Sequence, residues 1–219
     1  MKKWFVSLIF VMLFSSLHPS AMVKVKVNAE ETKGSNETCV NDAVLRLYYD
    51  MQELWIEHAW WTRSFIISNI GELEDKQDVL DRLLQNKTDM GNLIKPYYGA
   101  KAGNKLTELL KEHILIAGKI IDAAKVKDQN SVEKYNKEWF RNADTIVEFL
   151  TKANPNWSKE ELTDMFYTHL RYTTDEVTAR LNKDWKGDIR LADLNEEHLI
   201  HMARILADGI IKQFPEKFK

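Results

Sequence analysis

From Asn41 to Ile70 the chain repeats apolar side chains at three- and four-residue intervals without a break. Within that run the seven-residue row Val44, Met51, His58, Phe65 puts a histidine in a position its neighbours mark as core. Trp55, Trp61 and Thr62 flank it on adjoining rows. The period dictates a long helix, and the histidine sets a condition on everything else. An imidazole buried without a partner costs roughly 1–3 kcal/mol, so the rest of the chain has to bring partners to it.

Five further stretches carry the same period. The second helix is expected over 77–98, with Val79, Leu80, Leu83, Leu84, Met90, Leu93 and Ile94 as its apolar face. Gly91 and Pro96 should loosen its last turns and Gly99 should stop it. A third starts near Asn104 and buries Leu106, Leu109, Leu110, Ile116 and Ile120. Asn130 with Glu133 has capping-box spacing for a fourth, which Asn154 and Pro155 close. Ser158 with Glu161 opens a fifth that runs to about Trp185, and Asp188 is placed to cap a sixth that ends before Pro215. Nothing alternates with period two. Short connections make sequential helices antiparallel neighbours. The fold class is all-α: an up-and-down antiparallel bundle of five to six helices over 41–215.

The first residues are a basic start, Lys2 and Lys3, followed by an apolar run to Phe14, shorter than the roughly 20 residues a bilayer span needs. They read as a signal peptide, 1–29, cleaved after Ala29, with 30–40 as a flexible lead-in. That places the protein in a secreted or extracytoplasmic location with no membrane span after cleavage. Removing Lys2, Lys3, Lys24 and Lys26 makes the formal charge of −2 more acidic still. Such a balance excludes generic nucleic-acid binding, which needs a basic face. Cys39 is the single cysteine, so the core must hold without an internal disulfide.

Polar residues recur on the apolar stripes near mid-helix. His113 lies between Leu106 and Ile120, His169 follows Leu162, and His198 falls on the row of Met202 and Ile205, with His201 one turn away. Asn86 lies between Val79 and Leu93 with Asp89 three residues on, and Asn142 lies between Trp139 and Ile146. Antiparallel helices of similar length register at their middles, so these positions should meet in one layer. The expected site is His58, Trp61, Thr62, Arg63, Asn86, Asp89, His113, Asn142, His169, Thr173, Glu176 and His198. Arg63 is expected to ion-pair with Asp89, and Glu176 to face His169 across Thr173.

Several stretches together resemble a known group. Leu54, Trp55, His58, Trp61, Thr62 and Arg63; Arg82, Asn86, Asp89 and Gly91; Lys95 to Gly99; Asn142 with Asp144; and Gly209, Gln213 and Pro215 are similar to motifs of a family of small helical proteins from Gram-positive bacteria. The resemblance covers about 45–215. It implies a helical fold and a bacterial source, and no particular activity.

Three functional classes stay open on these residues. The first is a module that binds an unknown small molecule or extracellular partner at the central layer. The second is a metal-dependent enzyme using the central histidines and carboxylates, with His58, His113, His169, His198 and His201 as the candidate metal ligands. No metal-binding motif is present to support it, since Glu-x-x-His and His-x-x-x-His spacings are absent. The third is a structural surface or spore-layer protein. A Gly-rich phosphate loop and a nucleophile elbow are also absent, so the residues lean away from catalysis.

Overall fold

Three glycines decide how the middle of the chain folds. The computed structural model describes residues 41–219; the expected signal peptide and lead-in, Cys39 among them, lie outside the described residues. Helix α1 spans Asp42–Gly71 and α2 spans Lys76–Lys125. At Gly99 the backbone of α2 leaves helical geometry, with φ 82° and ψ 166°, a left-handed region open to glycine. Arms 76–98 and 100–125 fold back on each other there. A Cβ on Gly91 would lie 2.5 Å from the Gly103 carbonyl oxygen, and one on Gly103 would lie 2.5 Å from that of Gly91. Thr107 Oγ1 donates to the Lys87 carbonyl at 3.4 Å. A straight helix would separate residues twenty apart by about 30 Å. The expected second and third helices are therefore a tight hairpin, with helix resuming at Ala100 and not near Asn104.

Helices α3 (Gln129–Ala153), α4 (Lys159–Leu181) and α5 (Trp185–Gln213) follow, and Pro215–Phe218 forms one 3-10 turn. Among the described residues every regular element is helical. Each helix packs on the next, and α5 returns to α1. Asn41 donates to the Phe218 carbonyl at 2.8 Å, while Arg63 meets Asp188, so α1 and α5 run in opposite directions. Among the described residues no helix is long and apolar enough to cross a membrane.

Caps follow local side-chain chemistry. Ser158 caps α4 as expected, accepting from Glu161 N, and Asn41 caps α1, accepting from Ala43 N. The α3 cap is Asp128, accepting from Ser131 N, and not Asn130. The α5 cap is Asp184, accepting from Gly187 N, and not Asp188. In each case a carboxylate stood upstream, by two residues at Asp128 and by one turn at Asp184, where its charge also faces the positive end of the helix. Asp188 is thereby freed for another use.

The apolar core falls into two clusters. The larger includes Met51, Trp55, Leu110, Ile146, Phe166, Leu199 and Met202. The smaller is Phe65, Ile66, Leu83, Ile114, Ile121 and Val177. Near the end of α5, Gly209 admits the edge of Trp157, whose Nε1 lies 1.9 Å from where a Cβ would stand. Gly209→Ala is expected to destabilise the fold by about 1–3 kcal/mol through overpacking. A chemical-denaturation midpoint equal to the parent's would show that the Trp157 ring moves aside freely.

Candidate functional site

The polar residues sit where the two clusters meet. His58 on α1, His113 on the second arm of α2 and His169 on α4 are 3%, 4% and 3% exposed. Their rings touch: the His58 and His169 centroids are 5.3 Å apart and those of His113 and His169 6.1 Å. With Lys87, Trp55, Leu110, Ile114 and Phe166 they line a void of about 10 Å³, roughly the room one water molecule needs. Trp55, Leu110 and Phe166 also wall a second, apolar void of about 30 Å³ among Met51, Met90, Leu106 and Ile146.

Hydrogen bonds fix the tautomers. Asn142 donates from Nδ2 to the Leu109 carbonyl and to Glu112, so its Oδ1, 2.8 Å from His113 Nδ1, is the acceptor. His113 therefore carries its proton on Nδ1, and its Nε2 presents a bare lone pair. That Nε2 is buried, with no hydrogen-bond partner among the described residues. Asn195 donates to Thr173 Oγ1 and accepts from His169 Nδ1 at 2.8 Å. His169 Nε2 is then an acceptor, and His58 Nε2, 3.4 Å away, supplies the proton. The Thr62 hydroxyl completes the chain by donating to His58 Nδ1 at 3.2 Å.

Lys87 is the member the sequence reading missed. It is 1% exposed, and the contact of its Nζ is Met90 Sδ at 3.5 Å, a weak acceptor. Burial drives its pKa well below the ordinary lysine value, with Glu57 opposing. Burial likewise depresses the histidines, His113 to about 3 and His169 to about 4, while His58 falls well below its usual range. Burial thus disfavours the charged form at each member of the cluster, and no carboxylate lines its void. A signal for Lys87 existed. Leu80, Leu83, Lys87, Met90 and Ile94 follow strict three–four spacing, and the lysine occupies the middle of that stripe.

The rest of the expected layer lies elsewhere. Arg63 does not reach Asp89; it pairs with Glu176 at 2.8 Å and with Asp188 at 2.9 Å, and Arg180 meets Asp188 at 2.8 Å. Asp188 is 1% exposed, so one buried carboxylate between two guanidiniums holds α1, α4 and α5 together. Glu176 belongs to this knot and does not orient His169. Its pKa is raised to about 7 because burial outweighs the Arg63 charge. Asp89 accepts from Gln85 at an exposed position. Asn86 is fully buried but is used by the Leu54 carbonyl and Glu57. Trp61 packs with the smaller cluster, under the Arg82 guanidinium.

His198 bonds the Met165 carbonyl at 2.8 Å and is half-buried, and His201 is exposed. The central row of α5 is Asp188, Asn195, Met202, Gly209, all buried. His198 is one row to the side, which is why Asn195 holds the place expected for it. Among the described residues no group of three His, Cys, Asp or Glu is disposed to hold a metal ion. The set His58, His113, His169, His198 and His201 is not assembled as a metal centre.

Two amides separate the rings from the surface. Asn195, with Trp60, Arg63 and Glu176, lines a surface cleft of about 180 Å³. Asn142 lies on the wall of an open groove between α2 and α3. Fold and site together define an all-helical bundle with a cluster of bases at its centre. Comparison with family models, with curated proteins and with solved structures returns no match.

Proposed function

We propose that this chain is an exported binding protein whose site is the base cluster of its own core, and that its guest is a small acid. One observation carries the reading. The Lys87 amine and the His113 Nε2 lone pair face a void that no carboxylate lines, and neither has a good protein partner. A structural layer would be satisfied within itself, because unpaired buried polar groups cost roughly 1–3 kcal/mol each. The Thr62–His58–His169–Asn195 chain meets that condition; Lys87 and His113 do not. A guest bearing an acidic proton supplies what both lack. It protonates the cluster and leaves an anion among cations. The adjoining apolar void, reached past Trp55, Leu110 and Phe166, suits a short hydrocarbon tail.

Propionate is the probe. Calorimetric titration near pH 6.5 in buffers of different ionisation heat should show binding with net proton uptake, together with a rise in melting temperature. His113→Phe keeps a flat aromatic ring, though a larger one, and removes the lone pair, and it should abolish both signals. A folded parent protein that gives neither heat nor a melting shift with propionate would end this reading.

A further inference from the structure

Lys87 is a buried primary amine beside a void, and amines of that kind are nucleophiles once they are free of a proton. Among the described residues its hydrogen-bond partner is a thioether sulfur, Met90 Sδ at 3.5 Å. Around the same void stand His58, His113 and His169, with His113 Nε2 bare and unpartnered. The void measures about 10 Å³ and the apolar one beyond its shared walls about 30 Å³. That room admits a guest of few heavy atoms and excludes an aromatic aldehyde or a sugar. The surrounding core is apolar, so a small uncharged electrophile crosses it more readily than an ion.

We infer that Lys87 is a site of reversible carbamylation by carbon dioxide. The inference rests on the reading of the cluster as a receptor for a small acid: carbon dioxide is acidic through its carbon, and the proton the cluster takes up comes from the amine that binds it. The step balances with nothing further. The Nζ lone pair forms a bond to the carbon, and one carbon–oxygen π pair moves onto oxygen. The proton released from nitrogen passes to His113 Nε2. The product is a carbamate anion beside an imidazolium. His113 then donates from Nε2 to a carbamate oxygen while its Nδ1 keeps the bond to Asn142. Reversal returns the proton to nitrogen and releases carbon dioxide. Asn195, which touches both His169 and the surface cleft, places the cluster one side chain from solvent.

The test is a carbon NMR spectrum of the full chain, labelled with 15N-lysine and equilibrated with 13C-bicarbonate at neutral pH. Carbamylation predicts a carbonyl signal split by one-bond coupling to nitrogen. The signal should be lost in Lys87→Met and in Lys87→Gln, both checked for native helicity. A bound carbon signal without nitrogen splitting would mean that the guest is held without a bond, which overturns carbamylation and leaves the receptor reading intact. A split signal that persists in both variants would place the carbamate on another lysine and overturn the assignment. No bound signal at all would also overturn it, and the propionate titration then decides the receptor reading separately.

Discussion

Between pH 7 and pH 4 the protein is expected to lose most of its stability, and the loss should track its core histidines. The folded-state pKa values of His113 and His169 are depressed to about 3 and 4 by burial, against roughly 6.5 in an unfolded chain. The unfolded state therefore binds more protons below pH 6.5. The stabilising balance is complete above that pH and is lost as pH falls toward the folded values. At pH 4 each histidine contributes a loss of about 3 kcal/mol, and His58, depressed by the same burial, adds to it. Glu176 acts in the opposite sense. Its folded pKa is raised to about 7, so it returns about 3 kcal/mol over the same interval. A net loss of several kcal/mol is comparable to the 5–15 kcal/mol that ordinarily holds a domain. Denaturant midpoints followed by tryptophan fluorescence from pH 8 to pH 4 measure it. In a Glu176→Gln background the fall should be steeper. A flat profile down to pH 4 would show that the histidines take up protons without breaking the core.

Replacing Lys87 by methionine should make the protein more stable, by about 2–4 kcal/mol at pH 7. The sign is the informative part. Lys87 is 1% exposed, bonded to a sulfur, and pushed by burial toward the neutral amine. The unfolded chain gives it water and a proton, so folding works against it until the pH approaches the ordinary lysine value. Methionine matches its length and brings no group that needs solvation. The gain should shrink as pH rises toward 10, because the unfolded lysine then sheds its proton as well. Thermal melts of parent and variant at pH 7 and pH 10 read both effects. A variant less stable than the parent would show that Lys87 has partners that satisfy it. A gain in stability with loss of propionate binding is the expected signature of a residue held for function against the interest of the fold.

Much of this protein is written in its periodicities. The apolar rows of 42–70, 129–153 and 185–213 dictate helices because only a 3.6-residue turn brings those side chains to one face. His58, His113, His169 and Asn142 were legible for the same reason: each occupies a core row and each is buried. Rows say nothing about which polar side chain meets which. Arg63 went to Glu176 and Asp188 and not to Asp89 because α5, and not the first arm of α2, lies on that side of α1. Asp188 was free to receive it because Asp184 had taken the cap. Asn195 replaced His198 through a rotation of α5 by one row, a difference smaller than pattern reading resolves. Lys87 was hidden by its chemistry, since a lysine on an apolar stripe ordinarily reaches out to water. The hairpin at Gly99 turns its first arm inward and encloses it between α1 and the second arm. The sequence determined the helices and the depth of their polar residues, through local geometry that each segment carries alone. Only the tertiary structure decided that three imidazoles and an amine share one void, because that depends on the rotation and neighbours of four helical segments at once.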